Sequence, residues 1–413
     1  MIRTVARVVR GEGTASAIRR SGERIREAVA HAAMRTAGVF AGRTQAEILN
    51  VCAGGISPRR GGVAIQLVAR LREESASRIV ALLHPGGLRL SAPFPHVRGI
   101  RNLREALAIT GARTAHFEGT SDVPLGTILE LIASGMQVVV SVHDFSLFCA
   151  RPHLLEEPMQ QFCGYSLDLD RCDRCLRPAQ HAPSAQAERR RLARRVLETA
   201  TALVFPSRFM LEKHRELFSL PLPHAAVIEP PCTGRTHESA GTSIAFAGSV
   251  QRHKGAHLLP EIARLLALRD LGLHVFGGGD ADLLLALRRL ENVFVHGYYR
   301  AGTLPMLLER HRIGLVLLPS IVPEAYSLTL SETWLAGAIA TAFDHGAIAE
   351  RIRQNKGGFL APLDSGAAGL VEIIDRWKRD PASPRAEHPP AAPQSSASAT
   401  VEIYRRCGAL PAH

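Results

Sequence analysis

Late in the chain, two carboxylates frame a run without charge. In PEAYSLTLSETWLAG (323–337), Glu324 and Glu332 stand eight positions apart with no charged side chain between them. Pro323 biases Val322 away from helix, so the chain enters the segment extended. A helix that begins near Ser327 would present the unpaired N–H groups of Ser327, Leu328 and Thr329 at its positive end, which suits a diphosphate. Glu332 then falls about one turn deeper, placed to accept hydrogen bonds from vicinal hydroxyls such as those of a ribose. Glu324, on the preceding loop, is placed to do the same for a sugar ring. The plain alternative is one loop acid and one solvated helix acid.

A second constellation lies upstream. In FAGSVQRHKGAHLLPEI (246–262), an apolar strand ends at Gly248, a short basic loop follows, and a helix opens near Gly255. Arg252 and Lys254 sit in that loop. The chain carries 50 basic residues, and only Lys213, Lys254, Lys356 and Lys378 are lysine. A lysine at this place suggests that a compact point charge is wanted, beside amides that favour an anion. Two solvated loop residues would be the alternative.

The elements that must position these groups alternate. AEILNVCAGGISPRRGGVAIQLVARLREES (46–75) reads as strand, Gly-rich loop and amphipathic helix, the unit of a doubly wound α/β domain. SRIVALLHP (77–85), ARTAHFEGT (112–120) and MQVVVSVHDFSLF (136–148) read as further strands, with the helical LGTILELIASG before the last. The valine run from Val138 suits a strand buried on both faces. ETATALVFPSRFMLEKH (198–214) reads as a strand followed by a helix capped at Ser207. After the turn-rich EPPCTGRTHESAGTS (229–243) a second alternating set begins, from IAFAGS through GGFLAP. The expected fold is therefore α/β, with two Rossmann-like doubly wound domains facing a central cleft. The expected organisation is a basic arm over 1–45, an N-terminal domain over 46–228 with a Cys-rich loop at 149–175, a C-terminal domain over 229–379, and a Pro/Ala-rich connector with a last helix over 380–413. Ligands of such sheets bind beyond the carboxyl ends of the strands.

With these pieces in view, the chain resembles the retaining nucleotide-sugar glycosyltransferases of the GT-B class, family 4. The resemblance rests on GGISPRRGGV, VSVHD, FPS, FAGSVQRHKG, the FGGGD turn and PEAYSLTLSETWLAG with its E-x7-E spacing, and covers roughly residues 46–378. It implies that Lys254 neutralises a donor diphosphate, Glu332 binds ribose hydroxyls and Glu324 contacts the transferred sugar. The amides of Ser327, Leu328 and Thr329 would hold phosphate, and Gly61 and Gly62 would let the N-terminal loop approach it. Many members carry an arginine after the strand glycine; here that position is Ser249, with Arg252 offered in its place. His116, in TAHFEGT, falls where relatives show His-x-His; the second position is Glu118, and both are assigned to the acceptor side. His143 and Asp144 follow the valine run and join Glu324 as candidate catalytic residues. In enzymes of this type the leaving phosphate serves as base, so no general base is assigned.

Cys149, Cys163, Cys172 and Cys175 fall in one stretch. The C-x-x-C spacing with two more thiols is that of a structural zinc site or of free thiols. Seven cysteines, an odd number, and a beginning without an apolar secretion core argue against a disulfide framework. The expected location is cytoplasmic, with the basic arm a candidate for contact with an anionic membrane on its inner face. No Asp-x-Asp metal motif stands at a useful place, so no catalytic metal is expected. The net charge of +12 invites nucleic acid, but the Arg run AERRRLARR (187–195) lacks interleaved aromatics and reads as a solvated helix face. FGGGD lacks the spacing of a dinucleotide fingerprint, which excludes a dehydrogenase. The implied function is transfer of a sugar from a nucleotide diphosphate to a glycan or lipid-linked acceptor in cell-surface polysaccharide biosynthesis. The rivals are a GT-B nucleotide-sugar epimerase and a non-catalytic basic protein that binds glycan or nucleic acid.

Overall fold

The computed structural model describes residues 46–54, 62–91, 96–98, 102–179, 184–234, 236, 241–300, 302–380 and 386–410. The arm over 1–45 and Gly61 lie outside the described residues. The described chain forms two compact units. One comprises the residues up to Met159 with Cys163–Pro231 and the chain from Ala391 on; the other comprises Gln160–Phe162 and Cys232–Pro390.

The first unit is built on strands β1 (Ile48–Val51), β2 (Val80–His84), β3 (Gly87–Ser91), β4 (His96–Arg98), β5 (Thr114–Glu118), β6 (Gln137–Ser141), β7 (Ala202–Phe205) and β8 (Ala225–Val227). Their order is β8-β7-β6-β5-β1-β2-β3-β4. All pair in parallel except β3 and β4, an antiparallel edge that the sequence reading does not anticipate. Val138, Val139 and Val140 are fully buried, as a strand covered by helices on both faces requires. Ser207 caps the helix Arg208–Phe218 by accepting the Met210 N–H at 3.2 Å. The last helix, Pro393–Arg406, packs against the helix Gly62–Glu74 that follows β1.

The second unit carries β9 (Ser243–Ala247), β10 (Leu273–Phe276), β11 (Val293–Gly297), β12 (Ile313–Leu318), β13 (Ile339–Phe343) and β14 (Gly358–Ala361), all parallel, in the order β11-β10-β9-β12-β13-β14. Alternate residues feed different cores. Ile244 and Phe246 pack with Leu273, Leu315 and Leu317, whereas Ala245 and Ala247 pack with Phe276, Val316 and Leu318. A sheet apolar on both faces is the mark of the doubly wound fold. The strands read from the sequence appear within a few residues of their expected bounds. The helices Gly346–Asn355 and Gly366–Arg379, which complete the second unit, were not part of that reading.

One feature departs from expectation. The Arg run forms the helix Ala185–Thr199, but its arginines do not make a plain solvated face. Arg189 donates to Ser146 O at 2.6 Å, Arg190 to Phe148 O at 3.2 Å and Ser166 O at 2.8 Å, and Arg194 to Phe218 O at 2.6 Å. Loop carbonyls without ladder partners need donors, and these guanidiniums supply them. Among the described residues no helix is long and apolar enough to cross a membrane.

Candidate functional site

In the second unit the strand order runs outward from β9 on one side and from β12 on the other. The carboxyl ends of two such strands leave a crevice where loops diverge, the usual ligand position in open α/β sheets. Lys254 follows β9 and Glu324 follows β12, and the switch point brings them together: Lys254 Nζ lies 2.7 Å from Glu324 Oε2. Ser320 Oγ donates to the other carboxylate oxygen of Glu324. Burial opposes ionisation of Glu324, but the Lys254 ammonium and the Ser320 hydroxyl outweigh it and hold the carboxyl below its usual range.

The local backbone explains how these loops meet. Gly255 has φ of +74°, and a Cβ there would lie 1.8 Å from Pro319 O. Only glycine lets the lysine loop rest directly on the end of β12. The Ile321 N–H donates to His253 O at 3.1 Å and ties the two loops. His345 Nε2 donates to Ser320 O at 2.7 Å from the far side.

The helix after Glu324 spans Leu328–Leu335 with Ser327 as its cap, whose Oγ accepts the Leu330 N–H at 3.3 Å. Ser327 has φ of 74°, unusual for a residue with a side chain. Arg351 fixes it there, since its Nη1 donates to Tyr326 O at 3.1 Å and Ser327 O at 2.9 Å, while Nη2 donates to Ser331 Oγ at 2.8 Å. The Arg351 guanidinium also lies 3.7 Å from the Tyr326 ring centre. The helix start at Leu328 and Thr329 is thereby braced from behind, and its leading amides have no intrahelical partners.

Glu332 lies on the same helix and accepts the Gly302 N–H at 3.1 Å. Burial pushes its carboxyl up to about 7, against the opposing pull of that N–H. Half-buried Cys232 and Tyr299 are its neighbours, and their own ionisation is suppressed by desolvation and then by the Glu332 charge, the Cys232 thiol rising to about 12. The sign of the pH effect follows. Between the ordinary glutamate value of about 4.3 and about 7, the folded state holds a proton that the unfolded state has released. Stability is therefore expected to fall as pH rises through that window, by up to roughly 1.4 kcal/mol per pH unit, and to level off above it. Denaturant titrations from pH 5 to 8 check this; Glu332→Gln should flatten the slope, and an identical slope in that variant would contradict it.

Other expected donor residues are less engaged. Ser249 is half-buried in the turn after Gly248. Arg252 is exposed, with Nε donating to Gln160 O at 2.9 Å. Gly62 is the exposed first residue of its helix. Arg351, Gly302 and Tyr299 were missed by sequence reasoning. Gly302 had a turn signal; for Arg351 nothing local separates it from a surface arginine.

The first unit contains a small open hollow lined by Gln66, Arg70, Glu118, Ser141, His143 and Pro206, among others. His143 Nδ1 lies 3.2 Å from Gln66 Nε2, and its Nε2 lies 3.6 Å from Glu118 Oε2. Asp144 instead caps the following turn, accepting the Ser146 N–H at 2.8 Å and the Ser121 hydroxyl at 2.6 Å. His116 does not line the hollow. It is fully buried, with Nδ1 2.6 Å from Tyr404 Oη and Nε2 2.8 Å from Ser141 Oγ. Burial lowers its pKa to about 3, so it is neutral. A histidine with both nitrogens occupied serves the core, which corrects its acceptor-side assignment.

Glu118 pairs with Arg70, which also donates to Asn50 Oδ1 at 3.1 Å and Tyr404 Oη at 3.3 Å and lies 3.4 Å from Glu74. Burial opposes the charge on Glu118, yet Arg70 and the neighbouring histidines hold its carboxyl well below the usual range. Arg70 sits on the buried stripe of its helix with Ala64, Leu67 and Leu71, a signal the sequence did carry.

Cys149 and Cys175 are buried, Cys163 and Cys172 half-buried, and all are free. Cys149 Sγ accepts the Arg151 N–H at 3.4 Å and Cys175 Sγ the Glu157 N–H at 3.3 Å. Burial pushes the Cys149 thiol up to about 11. Among the described residues, only His274, His296 and His311 bring three potential ligand atoms within 4.8 Å of one another. The four thiols do not meet that distance; Cys172 Sγ donates to Ser166 O at 3.7 Å.

Two Rossmann-like units in one chain define the GT-B class of fold. Comparison with known proteins adds a family match over part of the chain. Residues 241–380, the bulk of the second unit, match the family model described as Glycosyl transferases group 1. No curated protein matches the sequence. HepE from Anabaena, crystallised with UDP, aligns over 88% of this chain and 98% of its own with TM-score 0.56 and 15% identity. Sucrose-phosphate synthase from Thermosynechococcus elongatus aligns over 88% and 95% with TM-score 0.57 and 14% identity. A glycosyltransferase from Rickettsia africae aligns over 89% and 99% with TM-score 0.58 and 14% identity. At such identities the likeness is one of fold.

Proposed function

We propose that this chain is a retaining glycosyltransferase of family 4 type, which moves a sugar from a nucleotide diphosphate to a glycan or lipid-linked acceptor in cell-surface polysaccharide biosynthesis. The observation that carries the reading is the Lys254–Glu324 pair at the switch point of the second sheet, inside the segment that matches Glycosyl transferases group 1. Lys254 and the amides at Leu328 and Thr329 would offset the diphosphate charge. Glu332 would accept the ribose hydroxyls, and Glu324 would accept a hydroxyl of the sugar. In the reaction the bond from the anomeric carbon to the phosphate oxygen breaks, the acceptor oxygen bonds to that carbon, and the departing phosphate takes the acceptor proton. Tight placement of donor and acceptor is the main contribution asked of the protein. Glu118 and His143 would meet the acceptor in the first unit, with zinc at Cys149, Cys163, Cys172 and Cys175 as a structural element of the same proposal. The basic arm would contact an anionic membrane.

A thermal-shift screen with UDP, GDP, ADP and their sugars tests the donor. HepE was crystallised with UDP-glucose, which makes uridine diphosphate sugars the first to try. A donor at 100 times its dissociation constant should add about 2.7 kcal/mol. Stabilisation by none of them would overturn the reading, and donor turnover without acceptor would replace it with an epimerase.

A further inference from the structure

We propose that His274, His296 and His311 form a binding site for a nitrogen-preferring divalent transition metal such as Zn²⁺. His274 lies on β10, His296 on the neighbouring edge strand β11, and His311 at the end of the helix Leu304–Arg310. The pairing of β10 with β11 matches Val275 to Val295 and then Phe276 to Gly297, so His296 is an inserted residue in the ladder. Such bulges re-aim a side chain. Here the result is a tight group: His274 Nδ1 lies 3.0 Å from His296 Nε2, and the His296 and His311 ring centres are 4.3 Å apart. One nitrogen from each ring falls within 4.8 Å of the other two.

The chemistry of the donor set selects the metal. Imidazole nitrogens suit Zn²⁺, Co²⁺, Ni²⁺ or Cu²⁺, whereas Mg²⁺ and Ca²⁺ want oxygen. All three rings are half-buried, and neutral imidazole is the form of histidine that binds a metal. The positive charge facing the group is that of Arg310, beside His311, so the affinity must come from the imidazoles. On binding, the proton shared by His274 and His296 moves to an outer ring nitrogen, and the metal replaces that hydrogen bond. A bound ion would clamp β10, β11 and the helix end. The link between β11 and that helix carries Gly302, whose N–H holds Glu332. The site is thus distinct from the donor residues yet braces one of them.

The test uses the full chain, freed of metal by a chelator and titrated with Co²⁺ by absorption and with Zn²⁺ by calorimetry. The expected result is saturable binding with cobalt d–d bands of nitrogen and oxygen ligation, weakened at least about tenfold in H296Q and in H311N. H311N changes a helix-end residue and keeps the readout if H296Q fails to fold. The proposal is overturned by no binding, by a signal that survives both substitutions, or by cobalt bands showing only sulfur charge transfer, which would assign the metal to the cysteine loop.

Discussion

Lys254→Ala is expected to weaken nucleotide-sugar binding roughly 30- to 1,000-fold, equivalent to about 2–4 kcal/mol. Two effects add. The diphosphate loses the ammonium that offsets its charge, and Glu324, which is largely buried, loses the cation that lies 2.7 Å away. An unpaired carboxylate beside a diphosphate repels it in a setting where water screens poorly. Titration calorimetry on the variant measures the loss. The double variant Lys254→Ala/Glu324→Gln separates the causes: removing both charges should recover stability without recovering donor affinity. Unchanged affinity in Lys254→Ala would take the lysine out of the donor site and the proposed function with it.

The second large effect concerns stability. Arg70→Met should destabilise the first unit by about 3–5 kcal/mol, because it strands Glu118 as a buried carboxylate and leaves Glu74 with Arg78 alone. For a unit of this size that corresponds to a fall in Tm on the order of 6–20 °C. Adding Glu118→Gln should recover part of the loss, since a neutral amide tolerates burial better than a lone charge. Calorimetric melts of the two variants decide it. A melting temperature equal to that of the parent chain would mean that the network is solvated and contributes little. The Tyr404 hydroxyl joins this network from the last helix, bonded to His116 at 2.6 Å and to Arg70 at 3.3 Å. The C-terminal segment is therefore a working part of the first unit's core.

The mistakes of the sequence reading share a cause. His116 looked like a strand-end ligand because its neighbours in sequence say nothing of Tyr404 and Ser141, which close over it. The arginines of 187–195 looked solvated because helical spacing reveals which residues share a face, not what that face meets. They meet carbonyls of the loop after β6. The histidine trio was invisible, since its members lie on separate elements with no motif.

What the sequence determined by itself is local. Alternating apolar runs and turn residues specify strands and helices through short-range sterics and burial, so the Val138–Val140 strand, the Ser207 cap and the helix behind Glu324 were legible. Glu324 and Glu332 share one short segment, so their relation could be read directly. Lys254 and Glu324 belong to different loops, and only the placement of β9 beside β12 brings them to 2.7 Å. That placement, like the burial of Arg70 and Tyr404, depends on which strands pair and which helices pack. Those choices are made by the summed burial of a whole core, and no single stretch of chain contains them.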